Sequence, residues 1–477
     1  MTQDEENISK SPTNEVELEE PVIFSLRLPG QGNFPQDKDS HSNNSNQFSC
    51  LRILKILGFY LIGISCFVPL NAILSGLDCF MEFHKDYAPE FVYSNLYFFS
   101  NFFVQMIIIF VPPKFNYYNL IQISQGVSII TLILNPILLQ NLEASESFIF
   151  SCILVIIQGG SSAVLFTCLY SFISYLENIY ITSVVTGHGL SGIILNLARF
   201  VSDLMLGLLK ETTVDKSRLL VSFFCFYYCA AFLIFLNLYI WIKLKDQIDI
   251  RRALRKVHPT LVMFDEEVDY EERCLSITSL KDEEFTSINI KNTIEYSEYK
   301  KVKDVLLSEP GINIMSMLHG LITFCIYPGI LIKFNLFVEN KSLSILIVLF
   351  IFNIFDIFGR QFPKCFTFRK FRYLFILICL RVYFIFIFLI SQTNKQITNP
   401  KFGFLHDEVF ISVNIALFAF TNGFVISNSF ILIGSDEKLK TPELKSKASP
   451  VLSVSLNVGI YLGTAIAYIL NYLITIN

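Results

Sequence analysis

Charged residues make up only 16% of this 477-residue chain, where a soluble domain carries roughly a quarter. That shortage argues against a chain solvated over its whole surface. The net charge of −4 offers no basic excess, so nothing points to a nucleic-acid partner. Tryptophan occurs once, against 48 phenylalanines, a bias that looks more like an AT-rich coding sequence than like function. The sequence has no HExxH, no GxSxG and no Walker loop, which leaves enzyme readings weakest. A paired-aspartate intramembrane protease would need two catalytic Asp on facing helices. The deep candidates, Asp203 and Asp356, each have an Arg of their own nearby. The 11 cysteines form no CxxC pair and no Cys/His cluster with ligand spacing, so neither a metal nor a cofactor is expected. Most of them, Cys66 and Cys168 among them, lie in apolar runs and read as small hydrophobes.

What the chain does have is apolar length. Hydrophobic residues are 53% of it and mean hydropathy is +0.52. Runs near 20 residues with few charges recur, which is the signature of membrane-spanning helices. Eleven segments are expected: Ile53–Phe80, Phe91–Val111, Leu120–Leu139, Phe148–Leu176, Ile181–Leu209, Leu219–Ile242, Ile312–Ile332, Leu343–Phe362, Tyr373–Ser391, Glu408–Gly434 and Val451–Ile476. The fold class is therefore an all-α polytopic membrane protein with a lipid bilayer as its solvent. Residues 1–50 read as a disordered acidic cytoplasmic tail, with nine Asp/Glu against three Lys/Arg up to position 49. No secretory signal peptide is read there. Residues 51–242 form a six-helix bundle and 306–477 a five-helix bundle. The 243–305 loop between them opens with basic residues such as Lys243, Arg251 and Arg252, and continues with the acidic run Asp265–Glu272. It reads as a solvated linker lying against anionic lipid.

Lys/Arg asymmetry sets the orientation. With the N-terminus in the cytoplasm, Lys364, Arg369, Lys370 and Arg372 after segment eight are cytoplasmic, as are Lys438, Lys440, Lys445 and Lys447 after segment ten. Lys210, Lys216 and Arg218 after segment five are the main exception, diluted by Glu211 and Asp215. The C-terminus then lies outside, and the sequon Asn340-Lys341-Ser342 faces outward. The 6+5 layout suggests two bundles with a site between them near the midplane, as in rocker-type transporters.

Charge inside the apolar segments is the most specific signal. In FNIFDIFGR, closing at Arg360, the residues Asn353, Asp356 and Arg360 fall at i, i+3 and i+7 on one helical face. An ionisable group at mid-membrane depth costs roughly 2.5–3.5 kcal/mol on insertion scales and is normally there for a pathway or a ligand. Arg199 and Asp203 repeat the i, i+4 pairing in segment five, and Arg381 lies in segment nine. Helix clamping or snorkelling is the competing reading for all of them. Pro69 and Asn71 mark a possible break in segment one. Gly187 and Gly192, with Gly459 and Gly463, have spacings that let helices approach closely and are expected to serve packing. His188 and His319 could relay a proton, but are read as packing histidines. Asp78 reads as a solvated interfacial carboxylate.

These motifs, taken in order, resemble the equilibrative nucleoside transporters. FNIFDIFGR resembles the segment-eight signature of that family, an FN, then an Asp, then Gly-Arg. GHGLSG from Gly187 resembles the GQ-L-G motif of segment five, and TNGF from Thr421 the SNGY of segment ten. LNVGIYLG resembles the glycine pattern of the last helix. Arg381 matches the arginine heading segment nine, Thr323 with Pro328 the T…FP of segment seven, and Pro69-Leu70-Asn71 the PWN of segment one. The resemblance implies a fold similar to the major facilitator architecture, a cytoplasmic N-terminus, and transport of nucleosides, sometimes nucleobases, without ATP hydrolysis. It implies that Asp356 and Arg360 hydrogen-bond the ribose hydroxyls and base, with Asn353 beside them; a vicinal diol offers donors to a carboxylate and acceptors to a guanidinium. Leu70 stands where the family has Trp, and Leu74 where it lines the pocket with an apolar residue. Phe166 stands where many members carry a base-reading Gln, with Gln158 two turns earlier. Arg199 and Asp203 join the candidate substrate-binding set. Protons are a candidate second partner, and the plasma membrane is the default location. Carriage of a different solute on the same fold and a non-transporting regulator are the alternative readings.

Overall fold

The computed structural model describes residues 44–110, 116–173, 176, 178–208, 215–244, 247, 250, 301–307, 310–368, 370–392, 400–434, 439 and 442–476. The acidic tail up to position 43, nearly all of the 243–305 loop, and Arg369, Lys438 and Lys440 lie outside the described residues. Cys50–Asn477 make one compact unit, and of the residues before it only the start of the first helix is described.

Among the described residues thirteen α-helices have defined bounds, besides the helical stretch 301–307. In chain order they are α1 (Asn44–Ser75), α2 (Leu77–Phe83), α3 (Pro89–Phe110), α4 (Tyr117–Asn141), α5 (Ala144–Ile173), α6 (Asn178–Met205) and α7 (Lys216–Leu244), then α8 (Pro310–Ile326), α9 (Lys341–Gln361), α10 (Phe371–Leu380), α11 (Val382–Gln392), α12 (Glu408–Gly434) and α13 (Pro442–Ile476). Among the described residues eleven stretches are long and apolar enough to cross a membrane, six before the 243–305 loop and five after it. This is the expected 6+5 chain of helices. Two segments are subdivided. The first does not run unbroken to Phe80: α1 stops at Ser75, and Gly76 separates it from α2. The ninth is split at Arg381, between α10 and α11. Hydropathy alone registers neither break, because apolar residues flank both.

The helices form because their backbones have no other partner at membrane depth. Asparagine side chains start two of them: Asn116 Oδ1 accepts from Tyr118 N at 3.0 Å, and Asn340 Oδ1 from Leu343 N at 3.0 Å. The Asn340 amide also donates to Leu208 O at 2.9 Å, so the sequon asparagine is engaged in the fold. Large apolar side chains at helical spacing face outward, such as Phe99, Phe103 and Ile107 on α3 and Phe232, Phe235 and Tyr239 on α7. These suit contact with acyl chains. Inward faces carry the serines, asparagines and glycines that allow close approach.

Packing separates the helices into two sets. Early helices pair as α3/α5, α4/α5, α4/α7 and α6/α7, and late ones as α8/α13 and α9/α12. The sets meet along α3/α13 and α6/α9. Both seams are polar. Asn457 of α13 donates to Asn101 Oδ1 at 2.9 Å and to Gln105 Oε1 at 3.0 Å, and Thr464 donates to Asn95 Oδ1 at 2.8 Å. Gln361 at the end of α9 donates to Thr186 Oγ1 of α6 at 2.5 Å. Such seams exchange partners at lower cost than an interlocked apolar core. Successive crossings alternate in direction, so the end of α6 and the residues at 327–340 share a face with the connection carrying α2.

Candidate functional site

A cavity lies between α1 and α6 on one side and α8, α9, α12 and α13 on the other. It is narrow, about 80 Å³, against roughly 300–1,000 Å³ for ordinary small-molecule pockets. A solute of ordinary ligand size exceeds that space. Helix α9 supplies its charged wall. Asp356 and Arg360 are one turn apart and both line the cavity. Arg360 Nε donates to Asp356 Oδ2 at 2.6 Å, and their side chains are only 10% and 5% exposed, Arg360 first. Asn353, a turn earlier, lines the same wall beside Gly192 of α6.

A hydrogen-bonded ladder fixes the carboxylate from behind. Asn422 Nδ2 donates to Asp356 Oδ1 at 2.7 Å. Thr323 Oγ1 donates to Asn422 Oδ1 at 3.0 Å. Arg381 Nη2 donates to Thr323 Oγ1 at 2.9 Å. Arg381 is fully buried at the α10/α11 break, and its guanidinium lies 4.5 Å from the Phe418 ring centroid. The ladder orients Asp356 through Asn422 and Thr323, with the Arg381 guanidinium at its far end. Only the resemblance of TNGF to a family motif marked Asn422 in the sequence; its contact with Asp356 spans 66 positions.

The rest of the lining is largely apolar and aromatic. Leu70 and Leu74 of α1 line the cavity, together with Phe67, Phe324, Tyr327 and Phe352. Tyr327 and Phe352 stack at 3.9 Å between ring centroids. Phe166 does not line it. It sits one layer behind, 6.4 Å from Phe67 and 4.3 Å from Tyr170, centroid to centroid. Gln158 is also away from the cavity, fully buried, with neither amide atom hydrogen-bonded.

Arg199 and Asp203 lie elsewhere, on the α2 face. Arg199 Nε donates to Asp203 Oδ2 at 3.0 Å, and its Nη2 to Asp78 Oδ2 at 2.9 Å. Ser222 donates to the other Asp203 oxygen at 2.5 Å. Asp78 also accepts from Ser342 at the start of α9. The Asp78 side chain is 11% exposed, so the solvated carboxylate expected from the sequence is in fact an ion-pair partner. Arg199 lies over the Phe226 ring at 5.0 Å. One guanidinium thus holds two carboxylates, and the cluster ties α2, α6 and α7 to α9. Replacing Arg199 by Met would leave both carboxylates in a site built for a cation, and breaking a buried pair this way costs about 3–5 kcal/mol. The expected result is a large fall in the thermal midpoint of the detergent-solubilised protein. Asp203→Asn, which keeps a hydrogen-bonding group toward Ser222, should cost less. Equal midpoints for Arg199→Met and wild type would show that the cluster carries no such load.

The glycines expected to serve packing lie at helix contacts. A Cβ on Gly187 would meet Tyr60 O of α1, and on Gly192 the Asn353 side chain. On Gly459 and Gly463 it would meet Met317 O and Leu321 O of α8. Gly359 and Gly423 are among further glycines as tight that the sequence did not single out for packing. A Cβ on Gly359 would meet Phe420 O, and one on Gly423 would meet Asp356 O.

The profile of the nucleoside transporter family matches residues 151–472. The chain belongs to that family. Its activity is the transport of nucleosides across a membrane, and it is an integral multi-pass membrane protein. Among solved structures, the proton:xylose symporter XylE of the major facilitator superfamily superposes with a TM-score of 0.52 at 13% identity, covering 88% of each chain. That likeness concerns the fold, which is of the kind that works by alternating access. The nucleoside transporter NupG gives a TM-score of 0.43 at 13% identity, covering 86% of this chain and 89% of its own. No curated protein matches the chain significantly in sequence.

Proposed function

We propose that the cavity between the two helix sets is the nucleoside site, with Asp356 and Arg360 holding the ribose. The observation that carries this reading is the buried carboxylate–guanidinium pair opening into the cavity. A ribose diol can donate to the carboxylate and accept from the guanidinium without either charge being lost. Asn353 adds a neutral donor and acceptor on the same face. The base lies against the aromatic wall around Phe67 and Phe352, where ring faces stack on any nucleobase. Leu70 and Leu74 complete the apolar side. Arg199 and Asp203 line no part of this cavity; in this reading they hold the α2 face closed, and substrate passes them only in transit.

The moving bodies are residues 51–242 and 306–477, rocking on the polar α3/α13 and α6/α9 seams. The α2 face is outward, with Lys364, Lys370, Arg372 and Lys447 on the cytoplasmic side, in keeping with the excess of Lys/Arg there. The plasma membrane is the proposed location. Facilitative transport is the mode that the family resemblance favours, with nucleobases as further cargo and protons as the alternative driving partner.

The test is uptake of radiolabelled adenosine and uridine into cells lacking their own nucleoside transport. Saturable uptake by the wild type is expected, inhibited by an excess of unlabelled nucleoside. No uptake by a well-expressed wild type would overturn the assignment of the cavity. Uptake unchanged between external pH 5.5 and 8 supports the facilitative mode; acid-stimulated uptake replaces it with proton coupling.

A further inference from the structure

We propose that His319, supported by His188, is the group that reads the polar edge of the nucleobase; this rests on the cavity being the nucleoside site. Both imidazoles line the cavity, and they are 1% and 5% exposed, His319 first. Buried polar groups nearly always have partners, and an exception in a binding cavity calls for one. Here neither ring nitrogen of His319 is hydrogen-bonded, nor is Nε2 of His188. Asn422, which donates one amide hydrogen to Asp356 and accepts from Thr323, is the one polar side chain close to the His319 ring; it can serve at most one ring nitrogen, and the other is left to the cavity. On the charged wall Asp356 has a protein partner on each oxygen, Arg360 on one and Asn422 on the other, and keeps a second lone pair on each for a ribose hydroxyl. Beside the charged wall assigned to the ribose, the cavity holds two imidazoles with unused hydrogen-bonding capacity.

The imidazoles are held in place by packing. His188 lies against Phe67 at 4.6 Å and Phe166 at 5.5 Å, centroid to centroid. His319 is followed by Gly320, whose Cβ position faces Leu456 O of α13 at 2.5 Å, so α8 is locked at that turn. A neutral imidazole offers one donor and one acceptor. Every natural nucleobase presents both kinds of group on its polar edge, so this chemistry recognises nucleobases as a class. It also makes Phe166 intelligible: the ring stands behind His188 as a support, and the hydrogen bonds come from the histidines instead.

The experiment is competition against labelled adenosine uptake by two unlabelled pairs. Inosine against purine riboside, which lacks the 6-substituent, probes the base edge. Adenosine against 3′-deoxyadenosine probes the ribose. The variants are His319→Ala, His319→Gln, His319→Phe and His188→Ala, each compared at equal surface expression. In the wild type, purine riboside is expected to compete about tenfold less well than inosine, the scale of one hydrogen bond left unmade in a buried site. His319→Ala and His319→Phe should erase that difference and leave the ribose pair unchanged. His319→Gln, which keeps a donor and an acceptor, should retain most of it. His188→Ala should reduce it. Should the alanine variant fail to reach the membrane, the Gln and Phe variants decide: Gln retaining discrimination while Phe loses it supports the proposal. Discrimination of the base pair that is equal in wild type and His319→Phe overturns it, while the nucleoside site itself stands. Absence of adenosine uptake in the wild type overturns both.

Discussion

Asp356→Asn and Arg360→Ala are each expected to lower saturable nucleoside uptake by about 10–100-fold, since a hydrogen bond to a charged group is worth ~1.5–3 kcal/mol. The two losses arise differently. Asn at position 356 keeps an oxygen that could face Arg360, but its amide nitrogen cannot accept, so Asn422 or a ribose hydroxyl loses an acceptor. It also leaves Arg360 without a counter-charge in a site where the pair is nearly enclosed. Alanine at 360 removes the guanidinium and leaves Asp356 with Asn422 as its neutral partner. Because the two side chains act as one unit, the double variant should be little worse than either single one. Asn422→Ala should weaken uptake less, as it loosens the orientation of Asp356 while leaving the charge pair in place. The measurement is initial uptake rate corrected for surface expression. Wild-type kinetics in Asp356→Asn would remove the pair from the substrate path and return it to helix clamping.

The pair was readable because its members are four residues apart, and a helix turns that spacing into contact. The same holds for Arg199 and Asp203. The rest of the second cluster was hidden by distance along the chain. Asp78 meets Arg199 across 121 positions and Ser342 across 264, and no local pattern predicts that an interfacial carboxylate will find a buried guanidinium. The eleven spans were legible because apolar length is a property of each segment alone. The breaks at Gly76 and Arg381 were not, since each lies within continuous apolar sequence. His188 and His319 read as ordinary packing residues. What changes that reading is the lack of a hydrogen-bonding partner for three of their ring nitrogens at a cavity wall, and a partner count needs coordinates. Phe166 shows the converse: position in an alignment placed it at the pocket, and packing places it one ring behind.

The close crossing of α9 and α12 leads to the second large effect. Gly359 and Gly423 face each other's helices so tightly that a Cβ on either would strike a main-chain carbonyl oxygen, Phe420 O from Gly359 and Asp356 O from Gly423. The next atoms are backbone as well: Arg360 N lies 2.8 Å from the Gly423 Cβ position, and Phe424 N 2.9 Å from that of Gly359. A flexible side chain could swing away from such a methyl; a helix backbone cannot. Overpacking of this kind typically costs 1–3 kcal/mol or more, about the upper end being expected where no side chain can relax. The displaced segment also carries Asp356 and Arg360, and Asn422 sits beside Gly423. Gly423→Ala should therefore separate α9 from α12 and pull the Asn422 amide off the carboxylate, losing transport in protein that still reaches the membrane. Gly359→Ala should act in the same direction from the other helix. Gly126→Ala in α4 is the matched control, since a Cβ there meets nothing within 4 Å, and alanine gains about 1 kcal/mol of helix propensity over glycine. Thermal midpoint and uptake rate together distinguish the cases: the control should keep both, and Gly423→Ala should lose uptake by tenfold or more with a lowered midpoint. Normal uptake by Gly423→Ala would mean that the two helices can part there freely, and that the charged pair does not depend on their contact.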